Sequence, residues 1–466
     1  MRIFNRYYSA YHLLLPLVDL GVALAIAGVG RLVIDSPRFY DDSQWFRYLI
    51  QGGAVGVIVV IVFYYTDLYS IDSTFPGRDW VLRLITGLGI TCLLLGGLSQ
   101  VMPRPAWREI SLTSMLLIGV GLFVWRIQFT NILKRRTICG KILIVGTQSI
   151  GQIIAEELHR CRHLAMDVVG FVGFQAGQMQ LSYGNPTKVT LPVFARHSTI
   201  EVVESKGVDR ILVDGPESCE NFPAQDLVML RLRGVPVEDC HHFYERIMGK
   251  IPTTDLHPSW IILSEGFRRN RWISFTKRAV DVVVSTVGLI LAVPVAILAA
   301  IAIKLDSHGP VIYSQERVGE HERRFNLYKF RSMQHQAEAA SGPVWAAQND
   351  PRVTRVGKIL RKLRIDEIPQ MVNVLKGEMS FVGPRPERAF FVAKLKEKIP
   401  YYHLRFSVKP GITGWAQISY PYGDSEEDAI EKLHYDLYYV KNISAMFDLQ
   451  IIFETLKIVL LRRGAQ

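Results

Sequence analysis

The chain has 466 residues, a length that is enough for two or three folding units. Apolar residues make up 49% of it and charged residues 21%, a combination expected where lipid-facing helices are joined to water-exposed domains. The net charge of +11 favours an anionic partner (nucleic acid, an anionic lipid surface or a phosphate-bearing substrate), and five scattered cysteines without a CxxC pair argue against a disulfide framework and a zinc site.

Four apolar stretches open the chain, over residues 11–34, 46–65, 81–101 and 110–129. Each has about the 20 residues that a helix needs to cross a bilayer. Basic residues flank the first and the fourth stretch, whereas the loop after the first stretch is mainly acidic, so the positive-inside rule places both ends in the cytoplasm. We predict a four-helix transmembrane region over residues 1–135. The alternative is a soluble bundle of buried helices, for which four such runs in series are rare.

Short apolar strands then alternate with helical patterns, as in KILIVG and VDRILVDG. This alternation predicts an α/β domain, Rossmann-like and with a parallel sheet, over residues 141–270. Its first turn keeps two of the three glycines of a dinucleotide fingerprint, Gly146 and Gly151, but Phe174 and Gln175 stand where an acidic residue would hold a ribose. Cofactor binding and a purely structural or regulatory role stay open, and we favour the second.

A further apolar run, at about residues 279–303, has basic residues at both ends and Pro294 near its middle. It is long enough to span a bilayer. A full crossing would place the preceding and following domains on opposite faces of the membrane, yet a nucleotide-using domain belongs in the cytosol. We therefore predict a re-entrant helix that breaks near Pro294 and returns, with a full crossing as the alternative.

Six basic residues and no acidic one lie between Arg352 and Arg364, interleaved with apolar residues at helical spacing. This pattern predicts a basic amphipathic helix, either on an anionic lipid surface or packed on a core. Two carboxylates, Asp366 and Glu367, follow directly. Adjacent acids repel each other, so the pair suggests a division of roles, in which one binds a divalent cation and the other attacks or positions a phosphorus centre.

Three further clusters contain residues of the kind that bind phosphate. YKFRSM contains Lys329 and Arg331, and the turn-rich VKPGITGWAQ contains Lys409. SFVGPRPE ends in Glu387 and holds Arg385 between two prolines, which fix the backbone and can direct a guanidinium group at a phosphate. As isolated strings, these clusters could equally be interface charge, a surface loop and a rigid turn.

Together these strings resemble one family. The region over residues 275–466 is similar to the bacterial sugar transferase domain of monotopic polyprenyl-phosphate phosphoglycosyl transferases, because KFRSM, DEIPQ…NVLKGEMSFVGPRPE and KPGITGWAQ occur in the family's order and approximate spacing. The preceding regions resemble the larger members that initiate exopolysaccharide, capsule or colanic-acid repeat units. One departure is Val293 before Pro294, where smaller members tend to have Ser-Pro. The resemblance implies an α-rich catalytic domain on the cytoplasmic face of the bacterial inner membrane.

The resemblance also implies a reaction. Asp366 would attack the sugar-bearing phosphate of a UDP-sugar, expel UMP and carry the phosphosugar until undecaprenyl phosphate accepts it, while Glu367 would hold Mg²⁺. The expected phosphate-binding residues are Lys329, Arg331, Arg364, Arg385, Glu387 and Lys409. We expect glucose-1-phosphate to be the transferred group and the reaction to start exopolysaccharide synthesis.

The partners expected from the resemblance are the UDP-sugar, undecaprenyl phosphate and anionic membrane lipid, rather than nucleic acid. A homo-oligomer and the recruitment of downstream glycosyltransferases stay open. Other functional classes are a nucleotide-sensing membrane scaffold for polysaccharide assembly, a purely structural assembly partner and a nucleotide-sugar oxidoreductase. The missing third glycine and the missing Tyr-x-x-x-Lys pair argue against the oxidoreductase.

Overall fold

A computed structural model describes residues 2–3, 6–7, 16–22, 24–25, 43–69, 78–101, 120–125, 127–128, 140–147, 149–160, 166–181, 189–215, 222–253, 256, 258–264, 266–267, 270–334, 350–421, 423 and 425–460. The chain divides into two compact units. Residues 1–3 and 7–240 form the first unit, and residues 4–6 and 241–466 form the second.

The chain begins with the strands β1 (Arg2–Ile3) and β2 (Arg6–Tyr7), and the first unit contains the helices α1 (Ser43–Tyr65) and α2 (Arg78–Val101). These helices coincide with the second and third predicted apolar stretches and pack through Phe63, Trp80 and neighbouring apolar side chains. Most of the first and fourth stretches lies outside the described residues. Within the described residues, one helix is long and apolar enough to cross a membrane, and it lies in the second unit, so the structure does not support four spans.

An α/β region follows, as predicted. Its strands are β3 (Gly140–Val145), β4 (Met166–Gly173), β5 (Gly177–Leu181), β6 (Val189–Ala195), β7 (Arg210–Val213) and β8 (Val237–Asp239). Its helices are α3 (Ser149–Arg160), α4 (Thr199–Lys206) and α5 (Ala224–Leu232), with a 3₁₀ turn at Arg196–Ser198. The sheet order is β5-β6-β4-β3-β7-β8, in which β5 pairs with β6 in the antiparallel sense and the other pairs are parallel. The continuous apolar run of β3 is buried, as expected for a central parallel strand.

The glycine-containing turn lies at the carboxyl end of β3, where chain connections diverge to either side of the sheet, the usual ligand position in such folds. Gly146 has a positive φ of 114° there, and a Cβ on it would stand 2.7 Å from the carbonyl oxygen of Asp214. The buried carboxylate of Asp214 accepts a hydrogen bond from Gly151 N at 3.0 Å. A protein carboxylate therefore occupies one donor at the start of α3 that a bound phosphate would use.

The second unit contains nine further helices and two strand pairs among the described residues. The helices are α6 (Cys240–Met248, which starts at the unit boundary), α7 (Pro258–Leu263), α8 (Arg271–Asp306), α9 (Arg355–Lys362), α10 (Gln370–Lys376), α11 (Ala389–Lys398), α12 (Trp415–Ser419), α13 (Glu426–Lys441) and α14 (Ala445–Leu460). The 3₁₀ turns are Glu320–Glu322, Ile365–Glu367 and Tyr402–Ser407. Strands β9 (Ile312–Val318) and β10 (Arg324–Phe330) form an antiparallel hairpin, and β11 (Ser380–Val382) pairs in parallel with β12 (Gly411–Thr413).

The segment 241–264 belongs to this second unit. Lys441 on α13 forms a buried ion pair with Glu245 at 2.6 Å. The indole nitrogen of Trp415 donates to the carbonyl oxygen of Gly249 at 2.7 Å, and Ile251 contributes to the main hydrophobic core. The compact unit thus starts at His241, whereas the sequence pattern places the change of domain near residue 270.

Helix α8 has 36 residues and carries most of the exposed apolar surface of the second unit. It continues through Pro294, so the predicted break is corrected: a proline removes one hydrogen bond of the helix and can bend it without ending it. Near its start, Lys277 Nζ donates to Val382 O at 2.9 Å and to Asp448 Oδ2 at 2.8 Å. Near its end, Ile303 lies in a core cluster with Phe330 and Leu360 on β10 and α9. Both ends of α8 therefore pack on one domain.

Candidate functional site

The carboxylate pair lies on a tight turn that follows the basic helix α9. Arg364 has a left-handed backbone with φ 57° and reverses the chain direction between α9 and the 3₁₀ turn. This reversal directs Asp366 and Glu367 inward, where they are 7% and 9% exposed. Because left-handed backbone is unfavourable for a residue with a side chain, the surrounding packing must hold this turn in place.

Three basic side chains surround one oxygen of Glu367. Its Oε1 lies 3.4 Å from Lys329 Nζ, 3.3 Å from Arg385 Nη2 and 3.6 Å from Arg364 Nη1. Burial alone would raise the pKa of Glu367, but Lys329, Arg385 and Arg364 outweigh it and lower the pKa to about 2. Glu367 is therefore ionised throughout the physiological pH range. The structure brings together three of the predicted phosphate-binding residues at this carboxylate.

Asp366 is in a different electrostatic environment from its neighbour. Burial and the negative charge of Glu367 raise its pKa, while Lys329, Arg361 and Arg364 act in the opposite direction. Its Oδ1 is buried and accepts no hydrogen bond from the described residues. A carboxylate oxygen with little hydrogen bonding is a better nucleophile than one that is fully solvated, because its electron pair is not already shared with donors.

Lys329 reaches the pair from the hairpin. Its strand β10 is fixed to α10 by Asn373, whose Oδ1 accepts from Tyr328 N at 3.1 Å and whose Nδ2 donates to Asn326 O at 2.7 Å. Burial lowers the pKa of Lys329, and the attraction of Glu367 only partly offsets this effect. The ammonium group is thus held among charged partners and is placed to bind an incoming anion.

Arg331 donates to the segment that follows α8. Its guanidinium group is 4% exposed and donates to the carbonyl oxygens of Ser307 at 2.7 Å and His308 at 2.8 Å, beyond the end of α8. It also donates to Ser307 Oγ at 2.9 Å. These bonds satisfy backbone groups after the helix, so Arg331 anchors the end of α8, and its role in phosphate binding stays a prediction.

The other two predicted residues, Glu387 and Lys409, have contacts elsewhere in the second unit. Glu387 Oε2 lies 3.8 Å from Arg317 Nη1, so this carboxylate supports the segment that carries Arg385. Lys409 Nζ lies 3.7 Å from the Cβ position of Gly377 and contacts neither Asp366 nor Glu367 within the described chain.

Arg361 is a site residue that the motif analysis overlooked. It belongs to the basic pattern that we interpreted as a lipid-facing or solvated helix, yet its positive charge lowers the pKa of Asp366. Its Nε donates to Ser332 Oγ at 2.9 Å, which orients the side chain. The available signal was its position in the last turn of α9, directly before the carboxylate turn.

The pair has the donor chemistry for a magnesium ion that is bound together with substrate. No group of three or more His, Cys, Asp or Glu side chains suited to a metal lies among the described residues. Mg²⁺, however, usually takes one or two carboxylates along with substrate phosphates and water. The carboxylate of Glu367, which is ionised and buried, fits this arrangement.

The second unit is a domain with a long apolar helix and a buried carboxylate pair among basic side chains, and an α/β region precedes it in the chain. A sequence profile of the family described as bacterial sugar transferase matches residues 272–462, a range that includes every residue of the site. The chain is 42% identical over 184 residues to the exopolysaccharide production protein PSS of Rhizobium leguminosarum bv. phaseoli, which is 38% of this chain and 92% of that protein. This chain belongs to the bacterial sugar transferase family.

Two longer relatives extend the comparison. The chain is 35% identical over 363 residues to the undecaprenyl-phosphate glucose phosphotransferase of Komagataeibacter xylinus, which is 74% of this chain and 64% of that protein. It is 40% identical over 240 residues to the UDP-N-acetylgalactosamine-undecaprenyl-phosphate N-acetylgalactosaminephosphotransferase of Aeromonas hydrophila, which is 52% and 56% of the two chains. The chain thus spans between about half and two thirds of the length of these two relatives.

Proposed function

We propose that this protein transfers a hexose-1-phosphate, glucose-1-phosphate in our assignment, from a UDP-sugar to undecaprenyl phosphate and releases UMP. The product would be undecaprenyl-diphosphate-sugar, the first lipid-linked intermediate of an exopolysaccharide repeat unit. The observation that carries this proposal is the buried pair of adjacent carboxylates whose pKa values are driven in opposite directions among four basic side chains. Relatives that act on undecaprenyl phosphate support the reaction class.

In the first step, an oxygen of Asp366 attacks the sugar-bearing phosphorus of the UDP-sugar. The new bond joins this oxygen to phosphorus, and the phosphoanhydride bond to UMP breaks, so UMP leaves with the bonding electrons. Lys329, Arg364 and Arg385 move from Glu367 to the pyrophosphate oxygens and offset their charge. Glu367 stays ionised because of the same basic groups, and its negative charge is available to a cation.

In the second step, a phosphate oxygen of undecaprenyl phosphate attacks the phosphosugar carried by Asp366. The bond between phosphorus and the carboxylate breaks, and Asp366 returns as a free carboxylate. One phosphoanhydride is lost and another is formed, so the overall free-energy change is small and UMP reverses the reaction. Two displacements replace one difficult step, which is the general advantage of a covalent intermediate.

Magnesium would be held by Glu367 together with the phosphates of the substrate. When bound, it would supply positive charge to the pyrophosphate oxygens and to the leaving UMP. The basic side chains of this chain would provide the remaining neutralisation and the orientation of the donor.

The lipid acceptor requires a site at the headgroup level of a membrane. Several observations favour a re-entrant α8 over a full crossing: Lys277 near its start and Ile303 near its end contact the same domain, and the side chains between them expose a broad apolar surface. We propose that α8 enters and leaves the inner membrane on the cytoplasmic face, with a bend at Pro294. We further propose that the four apolar stretches of residues 1–135 span that membrane.

The test is UMP release by the detergent-purified full chain, given Mg²⁺, undecaprenyl phosphate and a panel of UDP-sugars. We expect release with UDP-glucose, its loss in Asp366→Asn, and normal release in Glu322→Gln, a control that removes an exposed acid. Exchange of labelled UMP into the UDP-sugar without any undecaprenyl phosphate would report the covalent step. Exchange that requires the lipid would contradict the intermediate, and no release from any donor by folded protein would contradict the function.

A further inference from the structure

The segment 383–387 carries Arg385 into the site, and four consecutive carbonyl groups in it accept hydrogen bonds. The donors to the carbonyls from Pro384 to Glu387 are, in order, Gly411 N, Arg405 Nη2, Arg317 Nη1 and Val318 N, at 2.9–3.2 Å. Two prolines flank Arg385 and have no N–H group, so the carbonyls are the groups by which neighbouring elements can hold this backbone. The direction of the Arg385 side chain therefore depends on these donors.

Arg405 is the donor to the carbonyl of Arg385 itself, and it is a buried cation. It lies on the 3₁₀ turn Tyr402–Ser407 and is 7% exposed. Its Nη2 lies 2.8 Å from Asp436 Oδ2 and 3.1 Å from the Arg385 carbonyl oxygen, while its Nη1 donates to Tyr402 Oη at 2.5 Å. Asp436 on α13 is also buried. Burying such an ion pair costs more solvation than an apolar pair of similar size, so stability alone is a weak reason for it.

Arg317 on β9 completes the arrangement from the other side. Its Nη1 donates to the Pro386 carbonyl oxygen at 3.2 Å, and its Nη2 donates to Gln315 Oε1 at 2.7 Å. Two planar guanidinium groups from distant parts of the chain thus hold neighbouring carbonyls. Arg is suited to this role because its donors lie in a fixed fork, which a lysine does not offer.

We propose that Arg405, with Asp436 as its counterion, is a positioning residue that fixes the backbone of Arg385 and so directs its guanidinium group at the pyrophosphate of the donor. This inference rests on the proposed function, in which Arg385 binds that pyrophosphate. Arg405 itself does not touch the substrate. A displacement of Arg385 by about 1 Å is enough to cost about 10²-fold in rate, since positioned charges act only at their intended geometry.

A double-mutant cycle on the full chain in lipid nanodiscs tests the proposal. Arg405→Met should lower kcat/KM for the UDP-sugar by about 10²-fold when Arg385 is present. In the Arg385→Ala background the same change should cost about threefold or less, because the side chain to be positioned is gone. Asp436→Asn should lower kcat/KM in the same way as Arg405→Met, with a large loss only when Arg385 is present. Arg405→Lys should retain more of kcat/KM than Arg405→Met. The dissociation constant of UDP, measured for the same set of variants, repeats the double-mutant cycle for binding alone, without turnover.

Lys441→Met is the matched control. It breaks another buried ion pair of the same domain, with Glu245 at 2.6 Å, and should lower thermal stability by an amount similar to Arg405→Met. Its effect on kcat/KM should be small and the same with and without Arg385. Equal losses for Arg405→Met in both backgrounds, or unchanged kcat/KM and UDP affinity in the folded variant, would overturn the positioning role. Absence of UMP release by the unmodified chain would instead overturn the proposed function, and the UDP cycle would still decide the role of Arg405.

Discussion

Asp366 and Glu367 are neighbours in the chain, yet their surroundings move their pKa values apart. Three cations lower the pKa of Glu367 to about 2, whereas burial and the charge of Glu367 raise that of Asp366. The acid limb of activity should therefore report Asp366, which must be deprotonated to attack. Because Lys329 lowers the pKa of Asp366, Lys329→Met should shift this limb of the kcat/KM profile for UMP release to higher pH.

The control for this shift is Lys376→Met. Lys376 is an exposed lysine whose ammonium group lies over the ring of Tyr328, and it is not among the main causes of the pKa shift of either carboxylate. We expect its acid limb to coincide with that of the unmodified chain. A limb that stays in place in Lys329→Met, or moves to lower pH, would show that the titrating group is not Asp366.

Lys329 and Arg331 are two residues apart, but substitution of the first should affect activity and substitution of the second should affect stability. Lys329→Met should reduce kcat/KM with little effect on stability, because its partner Glu367 retains two other cations. Arg331→Met leaves the carbonyls of Ser307 and His308 without their buried donor, and should cost about 2 kcal/mol in the free energy of unfolding. Thermal unfolding and the KM for the UDP-sugar in the folded protein distinguish the two cases. A large rise in KM for Arg331→Met would show that Arg331 contributes to binding the UDP-sugar.

At the scale of elements, helix α9 depends on close contact with the segment that follows the hairpin β9–β10. A Cβ on Gly357 would lie 2.0 Å from the backbone oxygen of Ser332, a separation that backbone atoms cannot accommodate without moving. Gly357→Ala should therefore destabilise by about 1–3 kcal/mol through overpacking, although the same change in an open helix usually stabilises by about 1 kcal/mol. Lys358→Ala, one residue along the same helix and exposed, controls for composition. Denaturation midpoints measure both, and a stabilised Gly357→Ala would refute the close contact.

The sequence predicted the elements better than it predicted the contacts between them. Alternating apolar strands and helices gave the α/β region, and the motif order brought Lys329, Arg364 and Arg385 to Glu367. Strand alternation would place Lys329 and Arg331 on one face, but β10 ends at Phe330, and Arg331 turns instead to the end of α8. The direction of Arg331 depends on the residue at which β10 ends, and sequence patterns predict the ends of strands only approximately.

Contacts between residues that are far apart in the sequence could not be predicted from local sequence patterns. Arg405 contacts the carbonyl of Arg385, 20 residues before it in the sequence, and Asp436, more than 20 residues after it. Neither contact follows the period of a helix or a strand. The segment 241–264 is a second example. Its pattern of apolar and polar residues resembles that of the preceding α/β region, whereas Glu245 and Gly249 bind side chains of the second unit, Lys441 and Trp415.

For the whole molecule, the two ends of α8 decide how the chain meets the membrane. A helix of 36 residues is about 54 Å long and could cross a bilayer, yet both of its ends are bound to one domain. A crossing would have to break one of these sets of contacts or place part of that domain in lipid. We therefore predict that single cysteines introduced in the full chain at Arg271 and His308, both exposed, react with a membrane-impermeant maleimide from the cytoplasmic side only.

The labelling would compare inverted inner-membrane vesicles with intact spheroplasts, in a chain whose native cysteines are replaced by serine. A cysteine at Leu291, which is exposed on the apolar face of α8, should resist labelling in both preparations because lipid covers it. Detergent should then make it reactive, which separates lipid shielding from burial in protein. Labelling of positions 271 and 308 from opposite sides would establish a full crossing, and the contacts at one end of α8 would then have to open in the membrane. Labelling of both from the cytoplasm would leave the carboxylate pair on the same side as UDP-sugars and at the level of the lipid phosphate.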